Sequence, residues 1–235
     1  LKSCLQSHTL KHRRNLDLKI YDSLTVFLND EKVGYLVKGA RGHLVSFSYD
    51  KTWLSNGYSI SPLSLPLQDK VFVPEQNNPF EGLFGVFSDS LPDGWGRLVV
   101  DRMLRKNGLD PFSIDALNRL AIVGSSGMGA LRYEPSHSIG STYSYASFDE
   151  LALQCHELLE AKGKVSNIEA LFELGGSSGG ARPKVLVKLD DSDFIVKFRS
   201  SGDDLDIGKQ EYDYMACAQD CGIHVPKFTL VPSQK

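Results

Sequence analysis

The stretch from Leu174 to Glu211 carries residue types that suit phosphate binding, in the order that such binding requires. A glycine-rich run, GGSSGGARPK, lies between a predicted helix and a predicted strand, where glycines let backbone N–H groups approach phosphate oxygens closely. Lys197, in the next predicted strand FIVKF, could reach the same oxygens as a compact positive charge. Glu211, in the helix that follows, could hold that lysine in place by an ion pair.

Each of these features alone has an ordinary explanation, because most glycine-rich runs are turns and most strand lysines are solvated. Their order and spacing together favour a nucleotide site. The helical period supports this interpretation, since Glu211, Met215 and Ala218 share one face and Glu211 is therefore predicted to point toward the sheet.

Other kinds of site fit the sequence poorly. The residue after Lys184 is valine, so the run is not a Walker motif, and neither GxGxxG before a helix nor the GxSxG of a serine hydrolase is present. Cys217 and Cys221 are spaced one helical turn apart but lack a second ligand pair, so we predict buried small side chains and no metal site. His156 and His224 are likewise interpreted as structural.

Composition and charge limit the class of protein. The chain has 235 residues, 41% of them hydrophobic, and a net charge of −3, which gives no overall attraction to nucleic acid or anionic membrane. Four cysteines are too few for a disulfide framework. No apolar run approaches the roughly 20 residues that cross a bilayer. We therefore expect a cytoplasmic protein with reduced thiols.

The first half of the sequence predicts a small antiparallel sheet followed by helices. Residues 1–19 are basic, without periodicity, and predict a flexible tail. LTVFLND and KVGYLVK alternate around an Asn29-Asp30 turn, and HLVSFSY predicts a third strand. WGRLVVDRMLRKNG predicts a helix that Gly108 ends. A further helix over 113–121 and a strand at ALRYEP complete this half.

The second half predicts helices around a second sheet. Residues 134–147 are interpreted as a linker, after which Ser147 with Glu150 forms the pattern of a capping box. A second such pattern at Ser166 opens a short helix. The strands VLVKL and FIVKF, an amphipathic helix ending at Gly222 and a strand from HVPKFTLV follow.

Several strings in this order resemble HipA-type toxin kinases. LTVFLNDEKVGYLVK, PLSLPL, FGVFSDSLPDGWGR and VGSSGMGALRYEP are similar to the N-terminal subdomain of that family, and GGSSGGARPK, FIVKF and KQEYDYMACAQDCGIHVPKFTLV are similar to its kinase N-lobe. The resemblance runs from about Leu24 to the end, so the predicted tail over 1–19 lies outside it. It implies an α+β fold with a β-rich HipA subdomain over 20–135 and a kinase-like N-lobe over 136–235.

The resemblance also implies a function. The family comprises bacterial serine/threonine kinases of type II toxin–antitoxin systems, which use ATP and Mg²⁺, phosphorylate aminoacyl-tRNA synthetases and are neutralised by a HipB-like helix-turn-helix antitoxin that binds operator DNA. Ser177 matches the loop serine that is autophosphorylated in some members. The implied nucleotide-binding residues are Gly179, Gly180, Ala181, Arg182, Pro183, Lys184, Lys197 and Glu211.

The sequence departs from the family in its catalytic groups. No HxD and no DFG-like tripeptide occurs in 1–235, and Asp101 and Asn107, which loosely mimic the spacing, are expected to be surface residues of a helix. We therefore expect an incomplete kinase core without its C-lobe, sequence that continues beyond Lys235, weak ATP binding, no phosphate transfer and an exposed apolar surface. The alternatives are a catalytically inactive module that pairs with an antitoxin or a separate kinase chain, and glycine runs that are only turns.

Overall fold

The computed structural model describes residues 18–40, 44–127, 129–137, 147–160, 168–175, 179–189 and 192–232. The predicted tail over 1–19 lies outside these residues except for Leu18 and Lys19, and Leu18 packs against the second of two hydrophobic cores. Most of the predicted linker also lies outside the described residues.

Alternation of apolar and polar residues builds the N-terminal sheet. Its described strands are β1 (Ser23–Leu28), β2 (Glu31–Lys38), β3 (Val45–Tyr49), β4 (Val71–Phe72) and β5 (Leu131–Glu134). They pair antiparallel in the order β4-β3-β2-β1-β5. Asn29 and Asp30 form the tight turn between β1 and β2 with positive φ at both residues. The predicted three-stranded meander is confirmed, and β4 and β5 extend it at its two edges.

The first half of the described chain also forms four α-helices. They are α1 (Lys51–Asn56), α2 (Gly85–Ser88), α3 (Gly94–Lys106) and α4 (Ala116–Val123). α3 is the helix predicted from WGRLVVDRMLRKNG. Gly108 follows it with φ +77° and donates its N–H to the carbonyl of Arg105 at 3.0 Å, so the predicted glycine end of this helix is confirmed.

The helix predicted over 113–121 lies two to three residues further along the chain. Pro111–Ser113 forms a 3₁₀ turn, and α4 begins only after Asp115. The Asp115 carboxylate accepts a hydrogen bond from the Asn118 N–H at 2.9 Å, and this cap fixes the start of the helix. The predicted boundaries were therefore wrong because the capping role of Asp115 was not recognised.

The first core lies between the N-terminal sheet and its helices. Phe47 from β3 is fully buried, and its ring centre lies 5.0 Å from that of Phe87 in α2. Leu117 and Leu120 of α4 are also fully buried in this core. Burial of these aromatic and aliphatic side chains is the main force that holds the sheet to its helices.

The second core joins α3 to elements from the second half of the chain. These are α5 (Phe148–Glu160), α6 (Ile168–Gly175) and the hairpin strands β6 (Lys184–Leu189) and β7 (Ser192–Lys197). The helix α7 (Ile207–Asp220) follows the hairpin and contributes no buried residue to this core. The core side chains include Trp95, Val99, Met103, Leu151, Leu158, Leu171 and Val185. α3 therefore packs with α5, α6 and β6, although it precedes the domain boundary predicted at residue 135.

Helix capping places α5 as predicted. The Glu150 N–H donates to the Ser147 hydroxyl at 3.2 Å, and the helix continues from Phe148. The second predicted cap, Ser166, lies outside the described residues, but the helix that it was predicted to open is present as α6.

α7 contacts the hairpin through Glu211, which pairs with Lys197. Glu211, Met215 and Ala218, which were predicted to share a face, are half-buried, and no residue of α7 is fully buried. Large apolar side chains nearby stay exposed, among them Leu205 at 85% and Tyr214 at 77%. The expected apolar surface is therefore present.

The strand predicted from HVPKFTLV is wrong, because residues 223–232 form neither helix nor strand. Pro226 has no N–H to donate to a sheet, and the segment instead lies across α7, where the ring of Phe228 is centred 5.1 Å from that of Tyr212.

Among the described helices none combines the length and the apolar character needed to cross a membrane.

Candidate functional site

The glycine turn, defined here as Gly179–Lys184, connects α6 to β6. Gly180 adopts φ +88°, a conformation that residues with a Cβ rarely reach. Pro183 is buried, and its carbonyl accepts the N–H of Phe198 at 2.9 Å, whereas Ala181 is exposed. The turn is therefore fixed at its β6 end and open to solvent in its middle.

Lys184 and Lys197 stand directly opposite each other on the hairpin. They are paired positions of the antiparallel register between β6 and β7, so their side chains leave the same face. Like charges at directly opposed positions repel each other. An anion bound between or beside the two ammonium groups would reduce this repulsion. The Lys184 ammonium donates to the carbonyl of Gly179 across the turn.

The predicted ion pair between Lys197 and Glu211 is present. The Lys197 Nζ lies 2.9 Å from the Glu211 Oε2, and this contact joins the end of β7 to the second turn of α7. The two side chains are 55% and 39% exposed, so water reaches both. The spacing and helical face that predicted this pair were correct.

Arg182 extends the same charged network. Its Nε and Nη2 atoms both donate to Asp203, each at 2.9 Å from one of the two carboxylate oxygens, and its Nη1 lies 3.8 Å from Glu211 Oε1. The hydrogen bonds from Arg182, with a further one from the Ser200 N–H, hold the pKa of the Asp203 carboxyl below its ordinary value. Glu211 therefore lies between two cations.

These contacts bring three cationic side chains to one open surface beside the glycine turn. Arg182 and Lys197 are each satisfied by a carboxylate, and Lys184 by a backbone carbonyl. The pair of Lys197 and Glu211 is exposed, and such pairs contribute little to stability, so a phosphate group of higher charge can displace Glu211 at small cost. The arrangement can hold an anion with several oxygens.

The candidate site is a surface and not an enclosed cavity. A cavity of about 180 Å³ lies elsewhere among the described residues, against Lys38, Asn77, Glu81 and Asp115 of the N-terminal half. This volume is below the roughly 300 Å³ at which small-molecule pockets begin. A nucleotide at the glycine turn would therefore be covered from one side by the residues described.

Ser177, the predicted autophosphorylation site, lies outside the described residues, together with its neighbours at 176 and 178. The predicted nucleotide-binding residues, Gly179–Lys184, Lys197 and Glu211, are all described. The structure brings them together around the turn and the hairpin, but their role in nucleotide binding stays a prediction.

The predicted burial of the α7 cysteines is wrong. Cys217 and Cys221 are both exposed, whereas Cys155 in α5 is buried. Cys217 follows the half-buried Met215 by two residues, which turns it roughly 200° around the helix and away from the hairpin. Within the residues described, no group of three His, Cys, Asp or Glu side chains is placed to hold a metal ion.

Asp101 and Asn107 have structural roles, although they were expected to be surface residues. Asp101 Oδ1 lies 3.0 Å from the Nη1 of Arg119, a guanidinium with only 5% of its side chain exposed. Asn107 donates its side-chain amide to the carbonyl of Met103 at 2.9 Å at the end of α3. Neither residue approaches the glycine turn through these contacts.

Asp93, Trp95 and Asp203 contact the site but were not predicted. The Gly180 N–H donates to Asp93 Oδ1 at 2.7 Å, and the Trp95 N–H donates to the Gly180 carbonyl at 2.9 Å. The string LPDGWGR marked this segment as distinctive, yet Asp93 and Gly180 are 87 positions apart in the sequence, and no local pattern indicated their contact. Asp203 lies in a loop that contains several carboxylates and shows no periodicity, so the sequence did not single it out.

Two family models match the sequence. The model of the HipA N-terminal domain matches residues 24–134, and the model of the HipA-like C-terminal domain matches residues 176–235. Together they account for well over half of the sequence, and the chain therefore belongs to the HipA family. No curated protein matches the sequence significantly.

A solved structure has a similar fold. It is a chain of the Shewanella oneidensis MR-1 toxin–antitoxin system, determined as a complex of HipA, HipB and operator DNA. The TM-score is 0.56 at 18% identity, and the alignment covers 89% of this chain and 47% of that chain. The chain thus spans about half the length of this neighbour. The likeness establishes a HipA-like α+β fold, as predicted.

Proposed function

We propose that this chain forms the nucleotide-binding part of a HipA-type serine/threonine kinase, the toxin of a type II toxin–antitoxin system. The observation that carries the proposal is the opposed pair of Lys184 and Lys197 beside the glycine turn, with Glu211 2.9 Å from Lys197. A strand lysine held by a helix glutamate next to a glycine-rich loop is the arrangement by which protein kinases position ATP phosphates.

Each residue of the site has a proposed role. Lys197 binds phosphate oxygens, Glu211 orients Lys197, and the glycine turn from Gly179 to Lys184 covers the nucleotide. Arg182 adds a second cation. Its guanidinium can give up its contact with Asp203 or Glu211 and bind a phosphate oxygen instead. Phosphorylation of Ser177 would add a dianion to the loop and repel the ATP phosphates.

The reaction of the intact kinase follows from phosphoryl transfer. The hydroxyl oxygen of a target serine or threonine forms a bond to the γ-phosphorus, the bond to the bridging oxygen of ADP breaks, and the hydroxyl proton passes to a base. We assign neither that base nor a Mg²⁺ ligand to this chain, because the described residues hold no suitable metal cluster and 1–235 lacks the catalytic tripeptides.

The proposed partners follow from the family. A HipB-like helix-turn-helix antitoxin neutralises the toxin and provides its indirect contact with DNA, and the similar solved structure contains HipA together with HipB and operator DNA. The proposed targets are proteins of the aminoacyl-tRNA synthetase class, phosphorylated in the cytoplasm.

The second candidate is a catalytically inactive module that pairs with an antitoxin or a separate kinase chain. It is favoured by the charge pattern of the turn, because Arg182, Lys184 and Lys197 already have partners within the chain. Such a module would bind its partner without nucleotide.

Calorimetry with Mg²⁺–ATP distinguishes the two candidates. The chain is titrated alone and mixed with the C-terminal half of a HipA protein, and phosphate transfer and co-purification are measured in parallel. ATP binding and phosphate transfer in the mixture, both lost in Lys197→Ala and retained in the control Lys209→Ala, would support the kinase. Tight partner binding without ATP uptake in the mixture would support the module.

A further inference from the structure

The LPDGWGR segment contacts the glycine turn at its start. Asp93 occupies the N-cap position of α3, where an aspartate ordinarily accepts hydrogen bonds from its own helix. Here its side chain makes no such bond, and Asp93 Oδ1 instead accepts the N–H of Gly180 at 2.7 Å. The positive end of the α3 dipole favours a carboxylate at this position.

Trp95 makes two further contacts with the turn. Its backbone N–H donates to the Gly180 carbonyl at 2.9 Å, and its indole Nε1 donates to the Lys184 carbonyl at 3.2 Å. The Trp95 side chain is 1% exposed and packs in the second core. The start of α3 therefore makes hydrogen bonds to the N–H and the carbonyl of Gly180 and to the carbonyl of Lys184, the first residue of β6.

The close approach of the two segments requires glycine on the α3 side. Gly94 has φ +41°, and a Cβ at this position would lie 2.4 Å from the Gly180 carbonyl oxygen. Across the contact, a Cβ at Gly179 would lie 3.3 Å from Asp93 Oδ1. The backbones of Asp93–Trp95 and the turn thus fit together without room for another side chain at Gly94.

We propose that Asp93, supported by Gly94 and Trp95, is a positioning residue that holds the glycine turn against the start of α3. The functional consequence of this inference rests on the proposed function, because the turn that Asp93 holds is the turn proposed to cover ATP. Asp93 belongs to the segment matched by the HipA N-terminal domain, whereas Gly180 belongs to the segment matched by the C-terminal domain. The N-terminal domain would thereby set the state of the nucleotide loop.

Hydrogen exchange of the turn, followed by mass spectrometry without nucleotide, tests the proposal. Asp93→Ala removes the acceptor, so amide exchange in 179–189 is expected to accelerate about tenfold, which corresponds to about 1.4 kcal/mol. Asp93→Asn keeps an acceptor oxygen and is expected to stay close to the wild type. The matched control is Asp110→Ala, because Asp110 also accepts a local N–H, from Phe112, but does not contact the turn.

The outcomes separate the proposal from a general loss of stability. Unchanged exchange in Asp93→Ala, or equal acceleration in Asp110→Ala, would overturn the positioning role. The affinity for Mg²⁺–ATP is then measured for the same variants in the mixture with a HipA C-terminal half. Tighter ATP binding by Asp93→Ala would also overturn it, because the carboxylate would then be a competitor of phosphate. If the wild type binds no ATP, the proposed function fails while the exchange result still stands.

Discussion

Glu211 stands between Lys197 and Arg182, with one carboxylate oxygen 2.9 Å from the lysine ammonium and the other 3.8 Å from the guanidinium. A single acid on α7 therefore pairs with the lysine of β7 and also lies near the arginine of the glycine turn, which Asp203 holds. Replacing Glu211 should therefore change the position of Lys197 in the site, while the stability of the fold should change little.

Glu211→Gln is expected to lower affinity for Mg²⁺–ATP about tenfold while the free energy of unfolding changes by less than about 1 kcal/mol, because exposed pairs contribute little stability. The matched control is Asp213→Asn, which breaks the exposed pair between Lys209 and Asp213 on the same helix. Calorimetry in the presence of a HipA C-terminal half and urea unfolding measure the two quantities. Equal losses of affinity in both variants would contradict the role of Glu211.

The Arg182–Asp203 contact should persist in acid. Hydrogen bonds from Arg182 and the Ser200 N–H depress the pKa of Asp203, so the contact contributes fully above the ordinary aspartate pKa and is lost only as pH falls through the lowered value. An NMR titration of the Asp203 carboxyl carbon should give a midpoint below the ordinary range. In Arg182→Ala that midpoint should move upward, and an unchanged midpoint would show that Arg182 is not the cause.

The described cysteines should differ sharply in reactivity. Burial raises the pKa of the Cys155 thiol to about 12, whereas Cys217 and Cys221 are exposed. Iodoacetamide at neutral pH should alkylate the two α7 cysteines in the native protein and reach Cys155 only after unfolding. Peptide mass spectrometry reads the three sites separately, and rapid native alkylation of Cys155 would contradict the packing of α5.

Asp50 should be important for the stability of the N-terminal sheet. It accepts hydrogen bonds from the Tyr35 hydroxyl at 3.0 Å and the Thr52 N–H at 2.9 Å, and it pairs with Lys32 at 2.9 Å. Asp50→Ala should lower the free energy of unfolding by about 2 kcal/mol.

The same residue gives a pH dependence. The hydrogen bond from Lys32, with those from Thr52 and Tyr35, lowers the pKa of Asp50 to about 2, so its contribution should disappear between about pH 4 and pH 2. Asp30→Asn is the control, because it removes the charge that pairs with Arg132 from a side chain that is 92% exposed, while asparagine tolerates the positive φ of this turn position. Equal destabilisation by both substitutions would contradict this account.

Local patterns predicted most of the fold. Alternation placed β1 to β3, and the Ser147 cap and Gly108 end placed α5 and α3, because each signal lies within a few residues of the structure that it determines. The strand predicted from HVPKFTLV failed because strand formation needs a partner edge, which a single segment does not specify.

The candidate site was predictable only where its partners follow one another in the chain. The pair of Lys197 and Glu211 could be inferred from strand and helix periodicity over 14 residues. The contact of Asp93 with Gly180 could not, since it depends on how α3 packs against α6 and β6 in the second core. The exposure of Cys217 was missed because its burial was inferred from residue type alone, although the face predicted from Glu211, Met215 and Ala218 already turns Cys217 away from the hairpin.

Labelling with an acyl-phosphate derivative of ATP tests the central claim most directly, because the probe acylates lysines whose ammonium groups lie beside the bound phosphates, even at weak affinity. The account predicts that Lys197 and the opposed Lys184 are acylated preferentially, that excess Mg²⁺–ATP suppresses this labelling, and that the exposed Lys209 shows neither effect. Equal labelling of Lys209 and Lys197, unaffected by ATP, would contradict it.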